Sequence, residues 1–220
     1  MIFMAVTRRS GRPAKIPGEK STKGKIFDAS LDMFAERGYD GVSIRDIASA
    51  VGIKESSIYK HYASKEEILD TIVDYLMARV SIIGPQGVEA EELIISQGLE
   101  GFMAMASGLF TNWAEDTHMV KAFRVIFIES YHNKQIGRCL LKISVAARTF
   151  WESNFEIMLK HKLIKPYDPE ILSLEFLSFI WNAYMDYFLF IYDNTTTSIP
   201  LWHKERIDRH VAFIVSSIKP

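Results

Sequence analysis

One cysteine, Cys139, stands in 220 residues, which excludes an intramolecular disulfide and any multi-cysteine zinc site and suits a reducing compartment. Histidine is as sparse: the six (61, 118, 132, 161, 203, 210) include no pair at i, i+4 that would place two metal ligands on one helical turn. His203 and His210, two turns apart, read as surface residues. A Gly-rich phosphate loop, an HExxH helix and a GxSxG elbow are also missing, so nothing argues for an enzyme, a metal or a cofactor. Charge of one sign is not in excess. With 26 basic against 27 acidic residues the net charge is −1, so the chain is no polycation that coats nucleic acid, and any DNA contact must come from a local arrangement. The apolar start Met1–Val6 is too short for a signal-peptide core, and Arg8 and Arg9 follow it instead of preceding it, so a cytoplasmic location is expected.

Long apolar runs are missing too, apart from Ile171–Ile191. That stretch has the length of a membrane span but carries Glu175, Asn182 and Asp186 at i, i+7 and i+11, on one side of a helix. Two carboxylates facing lipid would be costly, so a buried helix with no membrane partner is expected. The rival is a helical membrane-associated or lipid-carrying protein that uses this segment.

What is present is ordinary for a globular chain: 48% hydrophobic and 24% charged residues, enough for a sizeable core. Residues 1–20 read as a basic flexible arm, because Gly11, Pro13, Pro17 and Gly18 interrupt any periodicity while Arg8, Arg9, Arg12, Lys15 and Lys20 face one acid, Glu19. Such an arm is either a solvated terminus or a minor-groove contact. Order begins near Ser21. Phe27, Ser30, Leu31 and Phe34 mark one face of a first helix that Gly38 ends. Ser43 caps a second helix whose inward face is Ile44, Ile47, Ala48 and Val51, and Gly52 breaks it after two turns. A third short helix runs from about Glu55 to His61, with Ile58 and Tyr62 turned inward. Ser64 and Glu67 form a capping box for a fourth, with Leu69, Ile72, Val73 and Leu76 as its buried stripe. Further helices are expected at 88–113, 117–131, 134–162, 171–191 and 201–218. No alternating strand pattern survives, so the fold class is all-α.

Two short helices joined at a glycine are what a helix-turn-helix requires. With Ile58 inward, the third helix leaves Glu55, Ser56, Ser57, Tyr59, Lys60 and His61 facing outward. Hydroxyls, a phenol, an imidazole and an ammonium donate to phosphate oxygens or read base edges. The runs Phe34-Ala-Glu-Arg-Gly38-Tyr39, Val42-Ser43-Ile44-Arg45-Asp46-Ile47-Ala48, Val51-Gly52-Ile53 and Ile58-Tyr59-Lys60-His61-Tyr62-Ala63-Ser64-Lys65-Glu66 closely resemble the N-terminal domain of TetR-type (TetR/AcrR-like) transcriptional regulators, over roughly residues 21–70. The resemblance implies a three-helix DNA-binding domain (21–66) followed by an all-α effector-binding and dimerisation domain (67–220). It implies a homodimer that represses transcription from a palindromic operator until a small molecule releases it. It places DNA contacts at Ser43, Arg45, Ser56, Ser57, Tyr59, Lys60, His61 and Lys65. Ser43 and Ser64 serve as caps on the alternative reading, and Arg45 as the partner of a carboxylate. The chain departs from the family pattern at Lys54 and Glu55, where a serine and a basic residue are usual, and Glu55 repels DNA unless it accepts from a cytosine amine.

Between residues 98 and 192, aromatic and sulfur side chains are dense enough to line an apolar effector pocket; the candidates are Phe102, Met105, Trp113, Phe127, Trp151, Trp181, Asn182, Met185 and Asp186. Asn182 and Asp186 either orient a ligand or lie at a subunit interface. The resemblance implies dimerisation through the last two helices, about 168–192 and 201–218.

Overall fold

A computed structural model describes residues 20–80, 84–113, 115–192 and 200–220, and the side chains of all of these except 109–113. The expected arm lies outside the described residues apart from Lys20, as does the side chain of Trp113. Capping residues set most of the helix starts. Ser21 accepts from the Gly24 N–H at 3.1 Å and opens α1 (Thr22–Arg37). Then come α2 (Ile44–Val51), α3 (Glu55–Ile58), α4 (Lys65–Val80) and α5 (Val88–Trp113). Asp116 caps α6 (Thr117–His132), Asn133 caps α7 (Lys134–Lys160), and Asp168 with Pro169 opens α8 (Pro169–Asp186). A π-helical turn, Tyr187–Ile191, prolongs α8, and α9 (Leu201–Ile218) closes the chain. No strand occurs among the described residues, and the architecture is all-α.

Two apolar clusters divide the interior. The first joins Leu31 and Phe34 of α1, Ile47 of α2, Ile58 of α3 and Ile72 of α4 to one face of α6, the start of α7 and the π turn. The second packs α5, the latter half of α7, α8 and α9 around Trp151, Phe155 and Phe176. Helix α7 runs through both, with Ile143 in the first and Phe155 in the second.

The seam between α1 and α6 is polar as well as apolar. His118 Nε2 lies 3.1 Å from Asp28, Lys121 donates to Asp32 at 2.6 Å, and Arg124 Nε donates to the Ala35 carbonyl at 2.6 Å. The partners step along α1 as the donors step along α6, so the two helices are registered over two turns. The Arg124 guanidinium also donates to the Phe188 carbonyl in the π turn and lies 4.6 Å from the Tyr192 ring centroid.

Three expectations need correcting. The third helix keeps regular α geometry only to Ile58; Lys60, His61 and Tyr62 follow in hydrogen-bonded turns, with Tyr62 N–H on the Ile58 carbonyl at 3.1 Å. Helix α5 is not continuous in its backbone, because Gly98 (φ 67°, ψ −176°) breaks it into two pieces, a conformation open to glycine at low cost. His203 is not on the surface. It is fully buried, and among the described residues neither of its ring nitrogens has a hydrogen-bond partner, nor does the buried Nε2 of half-buried His210. The apolar 171–191 segment is helical, yet among the described residues no helix is long and apolar enough to cross a membrane.

Candidate nucleic-acid interface

The unit α2–turn–α3 is held from three sides. At the entrance, Ser43 and Asp46 form a reciprocal box: Ser43 Oγ accepts from the Asp46 N–H at 3.2 Å while the Ser43 N–H donates to Asp46 Oδ2 at 2.8 Å. The Ser43 hydroxyl also donates to that carboxylate at 2.6 Å, and these bonds hold the Asp46 carboxyl below its ordinary pKa. At the turn, Gly52 adopts φ 73°, ψ 32°, and its N–H and that of Ile53 close on the Ser49 and Ala48 carbonyls. A side chain here would meet no atom within 4 Å, so the demand for glycine comes from the backbone conformation alone. Behind the unit, Ile47, Ile58 and Tyr62 are buried against α1 and α4.

Lys65 adds a further support, on the loop before α2. Its ammonium donates to the carbonyls of Tyr39 and Val42, both at 2.9 Å, and sits 3.9 Å from the Tyr39 ring centroid. The same loop is gripped from the other side by Glu129, a buried residue of α6 whose carboxylate accepts the Tyr39 N–H at 3.0 Å. The loop that delivers α2 is thus pinned by the start of α4 and by α6 together.

With the framework fixed, the outward groups are Ser43, Arg45, Ser56, Tyr59 and Lys60, all exposed, with Ser57, His61 and Lys65 half-buried at the margin. Arg45 and Ser56 share a shallow concavity between α2 and α3 with Ser49, Lys54 and Glu55. Tyr59 keeps 55% of its surface exposed, which no packing role accounts for. The beginning of α1 borders the same edge, where the Tyr62 hydroxyl reaches the Lys23 carbonyl at 3.5 Å and the Lys23 ammonium lies over the Tyr62 ring. The departure at Lys54 has a local consequence: α3 begins without a side-chain cap. The capping box of α4 is altered too. Ser64 Oγ accepts from the Glu67 N–H, but the Glu67 carboxylate reaches back to Ala63 N–H.

The pocket candidates are dispersed. Phe102 and Trp151 are buried in the second cluster, with the Trp151 ring 4.3 Å from that of Phe176. Phe127 and Trp181 meet edge to face at 5.5 Å, Met185 is half-buried, and Met105 and Asn182 are exposed. Asp186 is ion-paired with Arg206 of α9 at 3.1 Å. Among the described residues no group of three or more His, Cys, Asp or Glu side chains converges as a metal site would require. Sequence reasoning missed the α6 residues that reach α1 and the loop before α2. Their one legible sign is the basic row His118, Lys121 and Arg124, repeating every three residues on an otherwise apolar helix.

Residues 26–72 match the family model for bacterial regulatory proteins of the tetR family. Over 63 residues the chain is 43% identical to the HTH-type transcriptional repressor KstR2 of Mycobacterium tuberculosis, covering 27% of this chain and 32% of the relative. Over 46 residues it is 50% identical to IcaR of Staphylococcus epidermidis, the negative transcriptional regulator of the biofilm operon icaADBC, covering 21% and 25%. In these matches the chain spans about a quarter to a third of the relatives' length. A KstR2 from Rhodococcus jostii aligns further, at 25% identity over 157 residues, 67% of this chain and 76% of the relative. The solved KstR2 of M. tuberculosis superposes with a TM-score of 0.60 at 23% identity, over 92% of this chain and 97% of that one. A TetR regulator from Haloarcula marismortui superposes at 0.65 with 14% identity, over 90% and 98%. These likenesses reach the whole fold but, beyond the N-terminal domain, little of the sequence.

Proposed function

We propose that this chain, whose residues 26–72 match the tetR family of bacterial regulatory proteins, is a cytoplasmic, non-enzymatic repressor that binds a palindromic operator as a homodimer and is released by a small effector. Residues 21–66 read DNA and residues 67–220 dimerise and sense. The carrying observation is the outward row on α3 and the turn that follows it: Ser56 on the helix with Tyr59 and Lys60 exposed just beyond it, on a unit whose other face is locked by Ile58 and Tyr62. In this reading Tyr59 places its hydroxyl on a phosphate and its ring on sugar, and Lys60 donates to guanine acceptors. Ser43, Arg45, Ser56, Ser57 and His61 complete the contacts, and Lys65 holds the loop behind them.

Dimerisation is supported by apolar side chains on α8 and α9 that the subunit leaves uncovered. Ile171, Leu174 and Leu189 line one side of α8 and its π turn, and Trp202 and Phe213 share a side of α9 opposite buried Ile207 and Ile214. Joined across a two-fold axis, they make a self-complementary face that brings two copies of α3 to half-sites about 34 Å apart.

The test is selection of bound duplexes from a random DNA pool at about 0.15 M salt. Wild-type protein is expected to recover an inverted repeat. Tyr59→Ala, with helicity and dimerisation intact, is expected to lose it. Recovery of no sequence by a folded wild-type dimer refutes the reading.

A further inference from the structure

Six residues of α7, from Ala146 through Thr149, Phe150, Ser153 and Asn154 to Ile157, repeat at three- and four-residue steps and form one continuous wall. Gln86, Gly87 and Ala90, at the entry to α5, form the opposite wall, and together they enclose a cleft of about 480 Å³. That volume lies in the range of small-molecule sites. The floor is buried Phe150 and Asn154, and exposed Thr149, Ser153 and Gln86 form the rim.

Asn154 is the feature that packing does not explain. It is 98% buried (relative exposure 2%), and its Nδ2 donates to the Phe150 carbonyl at 2.7 Å, which fixes the orientation of the amide. Its Oδ1 has no hydrogen-bond partner among the described residues and is itself closed to solvent, so a donor reaches it from the cleft only where the floor gives way. An orphaned buried acceptor is costly, and a donor brought by a ligand removes that cost. None of the described residues lining the cleft is ionisable, so a charged molecule would lose hydration there without gaining a counter-charge from them.

We infer that the cleft between the start of α5 and α7 binds a small uncharged molecule with an apolar body and one hydroxyl or N–H donor directed at Asn154 Oδ1. The inference rests on the regulator reading for its consequence, that this molecule is the effector, and it moves the sensing site away from the aromatic clusters. The apolar body lies on Phe150, Ala90 and Ile157, and the hydroxyls of Thr149 and Ser153 remain at the mouth.

Phenol, toluene and benzoate share one ring and differ in its substituent, a hydroxyl donor, a methyl group and a charged carboxylate. Their affinities for the full-length protein, measured without DNA by ligand-observed NMR, are expected to favour phenol at least tenfold over both others. Asn154→Leu is expected to bring the phenol-to-toluene ratio close to one. Ser153→Trp, at an exposed helical position, is expected to close the mouth and abolish binding of both, with helicity and melting temperature showing that it is folded. Saturating phenol is expected to weaken operator binding of the wild type at least threefold. The inference is overturned if neither phenol nor toluene binds saturably, if benzoate binds as well as phenol, if the preference survives Asn154→Leu, or if binding survives in folded Ser153→Trp. Binding at the cleft that leaves operator affinity unchanged overturns its assignment as the effector site. Failure to bind any operator refutes the regulator reading instead, while the ratios measured without DNA stand apart from it.

Discussion

Replacing Lys65 by methionine separates two roles that one lysine at a helix start can play in a DNA-binding protein. Methionine keeps most of the apolar stem and removes only the ammonium. In the free protein that ammonium donates to two carbonyls at 2.9 Å and stands over the Tyr39 ring. Hydrogen bonds from a charged donor contribute about 1.5–3 kcal/mol each, and the site is only partly buried, so the two together are worth about 3 kcal/mol. The cation–π contact adds about 0.5–1 kcal/mol. A loss of about 3–4 kcal/mol is therefore expected, which at a urea dependence of about 2–3 kcal/mol per molar lowers the unfolding midpoint by about 1–2 M. The assay is urea unfolding at one fixed protein concentration, since dimerisation makes the midpoint concentration-dependent. Exposed Lys60→Met serves as the control and is expected to shift the midpoint little.

The same variant is then titrated with operator at several salt concentrations. A lysine that neutralises one phosphate contributes about 0.9 to the slope of log affinity against log salt. With its ammonium committed to the loop, Lys65→Met is expected to lose affinity while keeping its slope, because α2 is delivered less firmly and no phosphate contact is lost. An unchanged urea midpoint together with a slope reduced by about 0.9 would refute the clamp and make Lys65 a phosphate ligand.

Lys54→Ser supplies the cap that α3 lacks and is expected to stabilise the protein by about 1 kcal/mol in urea unfolding. An unchanged or lowered midpoint would show that the first turn of α3 does not limit stability. Burial, and secondarily Arg206, hold the pKa of His203 below 6.5 while Asp186 opposes the shift, so the folded state binds this proton less readily than the unfolded chain and stability falls as pH drops below about 6.5. His203→Leu is expected to flatten that acid loss and to be no less stable at pH 7, as unfolding midpoints between pH 7 and 5 would show; an equally steep loss in the variant would exclude His203 as its source.

Much of this architecture is legible in the order of residues, and the limits of that legibility are physical. Caps and breakers act within four residues, so Ser43, Asp46 and Gly52 declare α2 and its turn from sequence alone, and the inward pair Ile58 and Tyr62 follows from spacing. Periodicity is blind to a backbone break that preserves it, which is why the 88–113 helix shows no sign of the Gly98 kink. His203 lies four residues before buried Ile207, so its place on the inner face was present in the spacing; its polar chemistry argued for the surface and was overruled by position. Partners distant along the chain leave no such trace. Lys65 meets carbonyls 23 and 26 residues away, and Glu129 meets an N–H 90 residues away. The orphaned oxygen of Asn154 is likewise defined by what fails to pack against it.

Those distant contacts converge on α6, which joins the sensing half of the proposed regulator to its reading half. One helix holds α1 through Asp28, Asp32 and the Ala35 carbonyl, holds the α2-delivering loop through Glu129, and through Arg124 reaches the π turn at the end of α8. Three of these bonds end on backbone atoms, the Ala35 and Phe188 carbonyls and the Tyr39 N–H, so α6 is tied to the main chain of α1, of the loop and of the π turn. The π turn supports this geometry. Its wider backbone ring, closed by Tyr192 N–H on the Tyr187 carbonyl at 2.8 Å, presents the Phe188 carbonyl to Arg124 where a regular α-helix would use it internally. The end of α8 and the end of α1 are thus bonded to one guanidinium. In the proposed dimer, a ligand that repositions α7, which packs along α6, is expected to change the separation of the two reading heads through this joint. By linkage, operator that fixes the heads must oppose that ligand by the same free energy.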